Sequence, residues 1–389
     1  MTNGRPMSAP FGVYVHIPFC TSRCDYCDFA TWTDRAHLVD QYVAACIRDV
    51  ELRTLPDASS VFFGGGTPSL LDASALIAIL HAIPRAADAE VTVECNPDSV
   101  DLAKLRAYAE AGVNRVSFGV QSMRPHVLAA LGRTHDPDNV ARGVEWARAA
   151  GIDRLNLDLI YGTPGESVAD WEATLAAALA LEPEHVSAYA LTVEPGTPLG
   201  KAVAAGARAA PDDDDQATKY EVADEVLTAA GLPWYEVSNW ALTGEECRHN
   251  LLYWQGDDYA AIGCAAHGHA RLADGGARRW WNVRTPERYI GAIAAGALPE
   301  AGDESLDADA RATERLILGL RTSRGIKLPI AGADPSGVAT CIDDLTAAEL
   351  LARWDDRVVL TRRGRLLGNE VAVRLLAALE QPSPVVGTR

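Results

Sequence analysis

The sequence predicts an α/β protein: a partial (β/α)6 barrel followed by a smaller, mainly helical C-terminal domain that ends in a winged-helix-like element. Three observations predict this. Short apolar runs alternate with helix-length patterns through the first half of the chain. Several of the helical patterns stop at glycine just before the next apolar run, as at Gly112 and Gly151. Beyond about Trp234 the alternation ends, and helical patterning resumes from Leu306.

In order, the strands are expected at Val13–Ile17, Ser60–Phe63, Val91–Cys95, Arg115–Val120, Arg154–Ile160 and His185–Leu191. The helices between them are expected over Arg35–Arg53, Ser69–Ile83, Asp101–Ala111, Pro137–Ala150 and Ser167–Ala180. Alternating units of this kind give a parallel sheet with right-handed crossovers, and chemistry gathers at the carboxyl ends of its strands. The acidic run Asp212–Asp215 reads as a helix start, where carboxylates are favoured. Trp234, Trp240, Trp254, Trp280 and Trp281 mark either a bridging segment or the start of a second domain. Exposed, these rings would suit protein docking; packed, they are core. The stretch RVVLTRRGRLLGNEVAVRLLAALE reads as a short strand, a turn and a helix, and the tail QPSPVVGTR as disordered. The chain is divided as 1–235 and 236–389.

A length of 389 residues exceeds the usual single core, and 48% hydrophobic with 23% charged residues is ordinary for a soluble protein. A net charge of −18 argues against nucleic acid and gives no attraction to an anionic membrane. No apolar run reaches membrane-spanning length, and MTNGRPMSAPFGV lacks the apolar centre of a signal peptide. The expected location is the cytoplasm, where thiols stay reduced. Cys46, Cys95, Cys264 and Cys341 are scattered and read as buried small hydrophobes.

The chemistry-bearing stretch is YVHIPFCTSRCDYCDF, residues 14–29, with Cys20, Cys24 and Cys27 at C-x3-C-x2-C spacing. Three thiolates can hold three irons of a 4Fe-4S cluster and leave the fourth open to a small molecule bearing an amine and a carboxylate. The alternatives are zinc, which usually wants a fourth Cys or His, and buried structural cysteines. Gly64, Gly65 and Gly66 before Thr67 and Pro68 let backbone approach a ligand closely. Glu94, Gln121, Arg133 and Asp158 fall at or after strand ends, where a carboxylate suits ribose hydroxyls and an arginine suits a carboxylate. Tyr14 and Tyr26 flank the cysteines. Farther on, His249 sits among aromatics in CRHNLLYW and is either an axial haem ligand or a hydrogen-bonded structural imidazole. His267 and His269 in GCAAHGHA are ligands or turn residues.

Together, YVHIPFCTSRCDYCDF, FFGGGTPS, ECNPDS, SFGVQSM, LGRTH, NLDLIYGTPGE and HNLLYWQGDDYAAIGCAAHGH resemble the radical S-adenosylmethionine (SAM) superfamily. Within it they resemble the oxygen-independent coproporphyrinogen III dehydrogenase family, over nearly the whole chain. The dehydrogenases extend the cysteine motif to C-x3-C-x2-C-x-C, whereas Phe29 stands at that last position here. A haem-chaperone branch shows the same loss and carries H-N-x-x-Y-W, matched by His249 to Trp254. The resemblance implies a 4Fe-4S cluster on Cys20, Cys24 and Cys27, and SAM on Tyr14, Gly66, Thr67, Glu94, Gln121, Arg133 and Asp158, with Tyr26 beside it. It implies haem near His249, and a HemN-like C-terminal domain over the barrel mouth. It also implies haem transfer to respiratory proteins from a bacterioferritin-type donor, and leaves open a homodimer and peripheral membrane contact. The alternative activity is radical decarboxylation of coproporphyrinogen III.

Overall fold

Along Phe11–Ile17, strand β1, Val13, Val15 and Ile17 are fully buried in the main apolar core, while Gly12, Tyr14 and His16 face the other way. That alternation makes β1 one stave of a barrel: aliphatic outward under the helices, polar and aromatic inward. The computed structural model of the protein describes residues 9–133, 136–330 and 335–380. Strands β1, β2 (Ala58–Gly65), β3 (Arg85–Cys95), β4 (Arg115–Gln121), β5 (Arg154–Tyr161) and β6 (His185–Ala190) lie in chain order, each parallel to the next.

Helices Val39–Arg53, Ala73–Ala82, Leu102–Glu110, Pro137–Ala149 and Val168–Leu179 follow strands one to five. Asp101, Asp136 and Ser167 cap three of them through their side chains, and Gly112 and Gly151 leave two of them with positive φ. The second helix starts later than expected because Pro68–Leu70 is a separate 3-10 turn. Asp212 caps helix Asp213–Ala229 by accepting from the Asp215 amide, so the acidic run is a helix start.

The sheet does not stop at residue 235. Strands β7 (Trp234–Glu236) and β8 (Asn239–Ala241) extend it antiparallel beyond β6. On the opposite edge β9 (Asp258–Ile262) adds parallel to β1, and β10 (His267–Arg271), β11 (Ala277–Asn282) and β12 (Glu300–Leu306) follow antiparallel. The boundary expected after residue 235 therefore cuts through one 12-stranded sheet. A run of short strands with no helical period hid this, because each becomes sheet only through its partner. Of the five tryptophans, Trp240 is fully buried and Trp280 is 8% exposed, while Trp234, Trp254 and Trp281 are half-buried.

A separate apolar core, with Leu316, Leu320, Ile342, Leu345, Val358 and Leu375, lies in the C-terminal part. Its elements are helices Ala308–Leu320, Pro335–Ala347, Arg362–Leu366 and Gly368–Glu380, and strands β13 (Ile326–Lys327), β14 (Leu351–Trp354) and β15 (Arg357–Leu360) in the order β13-β15-β14. The expected terminal strand, turn and helix are β15 and two helices that break at Leu367. The QPSPVVGTR tail lies outside the described residues. This part is tied to the barrel by Asp224, which accepts from Arg365 at 2.7 and 2.8 Å, from Arg362 at 2.5 Å and from Trp240 Nε1 at 3.0 Å.

Candidate functional site

The loop after β1 leaves the sheet at Phe19 and returns at Trp32, where Cys20 N donates to Trp32 O and Trp32 N to Pro18 O. It carries Cys20, Cys24 and Cys27, all free and half-buried. Two backbone bonds dock it on the barrel: Asp25 N to Leu131 O, and Leu199 N to Asp25 O. The three thiols line one cavity of about 450 Å³ at the carboxyl ends of the strands, together with Tyr26, Gly66, Thr67, Glu94, Gln121, Arg133 and Asp158. Residues from strands β2 to β5 and from two loops thus converge where a parallel barrel places its ligand.

Each wall residue is held. Gly66 N donates to Ile17 O and Thr67 N to Phe19 O, which binds the glycine turn to the cysteine loop. A Cβ on Gly66 would lie 2.7 Å from Phe19 O and 3.1 Å from Cys20 Sγ, so the close approach excludes a side chain. Gly65 N donates to Glu94 Oε2 at 3.1 Å. Gln121 ends β4 at φ 65°, a left-handed conformation for a non-glycine residue, of the kind that gathers at ligand sites. Arg133 donates to Cys24 Sγ at 3.4 Å and to Gly119 O at 2.8 Å, and its buried Nε has no hydrogen-bond partner among the described residues. Asp158 accepts from Ser117 Oγ at 2.6 Å and Asn156 Nδ2 at 2.9 Å.

Burial sets the electrostatics. It raises the Cys20 thiol, opposed by the Thr67 hydroxyl, and raises Cys27, opposed by a backbone bond at Phe29. Iron would displace those protons. Burial, with Asp158 adding repulsion, lifts Glu94 to about 8 against the Gly65 amide. Three thiols, a donor left free on Arg133 and a glycine cradle fit a thiolate-held cluster with a zwitterionic ligand beside it.

Sequence reasoning missed Ser117, Asn156 and Tyr189. The first two orient Asp158; Ser117 and Tyr189 also line the cavity, and Tyr189 is 43% exposed there. The available signal was period two: Ser117, Gly119 and Gln121 share one face of β4, and Asn156 and Asp158 one face of β5. Tyr14, expected at the SAM wall, does not line this cavity. It stands beside Gly64, stacks on Phe62 at 6.2 Å, and bonds His16 Nδ1 at 3.2 Å.

His249 is not in the cavity either. Helix Arg248–Gln255 crosses the amino-terminal end of the barrel, where an added Cβ on Gly12 would lie 2.5 Å from Leu252 and 3.0 Å from His249. His249 is 1% exposed. Its Nδ1 lies 2.9 Å from Ser60 Oγ, its Nε2 lies 2.9 Å from Tyr253 Oη, and its amide donates to Glu90. Burial lowers its pKa to about 4, opposed by Glu90. Both ring nitrogens are thus within hydrogen-bond distance of hydroxyls, which is the geometry of the second of the two readings, a hydrogen-bonded structural imidazole. Cys247 is also buried, beside Glu90. His267 and His269 lie in β10, and His269 bonds Asp257 O.

A half-open parallel barrel with three loop cysteines after its first strand defines the radical SAM class, and residues 14–178 match the Radical SAM superfamily. Residues 306–367 match the HemN C-terminal domain. A heme chaperone HemW of Mycobacterium tuberculosis is 45% identical over 94% of this chain and 95% of its own length. That of Bacillus subtilis is 35% identical over 94% and 99%, and that of Escherichia coli 38% identical over 72% and 76%. The chain belongs to the HemW family. Among solved structures, the coproporphyrinogen III oxidase HemN of Escherichia coli superposes with a TM-score of 0.80 at 22% identity, over 94% of this chain and 90% of that one, which shows a shared fold.

Proposed function

We propose that the chain binds haem and passes it to apo-haemoproteins, on a barrel that holds a 4Fe-4S cluster and SAM. The end-to-end similarity to relatives named heme chaperone carries this reading. Phe29 supports it: a ring 64% exposed stands at the cavity, two residues after Cys27, where the decarboxylating branch carries a fourth cysteine.

In this reading Cys20, Cys24 and Cys27 hold the cluster, which when bound supplies one-electron chemistry toward SAM. Thr67 sits against Cys20, and the Gly66 turn admits the methionyl end without a Cβ in the way. Arg133 has the free donor for a carboxylate, and Asp158 and Glu94 face the ribose and the cationic end. Gln121 and Tyr26 close the wall. The acceptors are respiratory haemoproteins and the donor a bacterioferritin-type protein, with cytoplasmic residence; among the described residues no helix is long and apolar enough to cross a membrane. We place the domain division near residue 306, where the barrel sheet ends, rather than after 235.

The test is one anaerobically reconstituted sample scored for iron, SAM cleavage, haemin uptake and coproporphyrinogen turnover. A Soret band on haemin addition without protoporphyrinogen formation is expected. Robust turnover would reverse the reading in favour of the dehydrogenase.

A further inference from the structure

We propose that a porphyrin binds in the cleft between the β7 edge of the barrel sheet and the C-terminal domain, its ring among Tyr220, Trp234 and Trp254 and one carboxylate on Arg321. This rests on the haem reading above and supplies the site that His249 does not. The cleft has a volume of about 470 Å³ and is walled by Tyr161, Tyr220, Trp234 and Trp254. That is the size and aromatic character of a pocket for a flat organic ligand. Val237 and Leu366 line the same cleft and are 38% and 37% exposed, an apolar rim that the methyl and vinyl edges of a porphyrin would cover.

The charges leave one place for a carboxylate: of the charged lining residues Asp213 is exposed, Arg365 is paired with Asp224, and Arg321 is the remaining cation. Arg321 lines the cleft and is half-buried, and among the described residues no carboxylate pairs with it, although the chain carries −18 overall. One of its nitrogens donates to Asn369 Oδ1 at 2.8 Å, which leaves other donors of the guanidinium for an anion. Arg365 lies 4.5 Å from the Trp234 ring centroid and 5.6 Å from that of Tyr220, so it stiffens the aromatic wall while Asp224 holds its far side. Among the described residues Trp234 Nε1 is buried without a hydrogen-bond partner, an indole donor unpaired in the wall of the cleft.

Among the described residues the lining contains no histidine, cysteine or methionine. Recognition here is of the ring and its carboxylates rather than of iron. The H-N-x-x-Y-W stretch still takes part, through its other end: Trp254 lines this cleft and also a neighbouring one of about 310 Å³ that holds Arg315, Arg324 and Arg357.

The experiment is a titration of the full chain with haemin, with iron-free protoporphyrin and with protoporphyrin dimethyl ester, followed by Soret absorbance. The proteins are wild type, Arg321→Glu, Arg321→Lys, the rim double variant Val237→Asp/Leu366→Asp, and Phe29→Ala. Circular dichroism confirms that each is folded. Iron-free protoporphyrin should bind within about tenfold of haemin, and the dimethyl ester about tenfold more weakly than the free acid. Arg321→Glu and the rim variant should each weaken haemin at least about tenfold, while Arg321→Lys and Phe29→Ala stay near wild type. Wild-type binding that Arg321→Glu and the rim variant leave untouched, or that Phe29→Ala alone abolishes, would overturn this site and leave the haem reading standing. No Soret change with wild type would sink that reading, and the site with it.

Discussion

His249 Nδ1 lies 2.9 Å from Ser60 Oγ, so the histidine of the H-N-x-x-Y-W stretch is pinned to strand β2 at the end of the barrel opposite Cys20. Removing the ring leaves a cavity and two hydroxyls without their partner. His249→Ala should therefore cost about 3 kcal/mol in a denaturant titration while leaving the haem spectrum intact. A lost spectrum at unchanged stability would restore the ligand role. The pH dependence has a definite sign. A histidine held at about 4 stays neutral while the unfolded chain, near 6.5, takes up its proton. His249 thus contributes full stability above about 6.5 and loses it as the pH falls toward about 4.

Glu94 titrates the other way. Its folded value of about 8 exceeds the ordinary 4.5, so the folded protein without SAM prefers the protonated acid. The cost of ionising it is absent below about 4.5, grows as the pH rises, and is complete above about 8. Glu94→Gln should melt higher than wild type at about pH 8.5 and like wild type at about pH 4.5. SAM carries a sulfonium and an amine that favour the ionised carboxylate. Wild-type affinity for SAM should climb across the same interval, and that of Glu94→Gln should be flat; parallel slopes would remove Glu94 from the cationic end of the ligand.

Gly66→Ala tests the cradle. The added methyl meets two carbonyl oxygens, Phe19 O at 2.7 Å and Ile17 O at 2.8 Å, and neither is the flexible end of a side chain. The turn must move away from the cysteine loop, which loosens Cys20 against Thr67. The variant should retain less iron after anaerobic reconstitution and bind SAM at least about tenfold more weakly. Full iron content with normal SAM affinity would show that the turn relaxes without cost.

The barrel was legible because its signals are local. Val13, Val15 and Ile17 alternate within one strand, and Asp101 and Gly112 punctuate one helix. The cysteine spacing, the glycine triplet and the polar residues at strand ends placed most of the wall. What was not legible depends on partners distant in sequence. Strand β9 is five residues of ordinary composition, and only pairing with β1 puts it in the sheet. Tyr14 and Glu94 both face inward, yet the rise along the barrel puts only Glu94 in the cavity wall. For His249, a motif reading supplied residue type and neighbours, but not the Ser60 hydroxyl nearly two hundred positions upstream that decides what its ring can do.

The same long-range logic governs the joint between barrel and C-terminal domain. Asp224 is 4% exposed and faces Arg362 and Arg365 across that joint, with Trp240 Nε1 as a further donor. Burial alone would raise its pKa, but the bonds and charge of Arg365, then Trp240 and Arg362, bring it below the ordinary carboxylate value. Asp224→Asn keeps the size and the acceptor for Trp240 but removes the charge that two arginines share. Breaking a buried pair in this way costs about 3 kcal/mol. Because the C-terminal part has its own apolar core, the loss should fall on docking rather than on either core. Faster protease cleavage and amide exchange are expected in the segment around residues 321–330 than within β1 to β6. A variant with unchanged protease resistance and unchanged melting would show that the apolar contacts across the joint hold it without the ion pair.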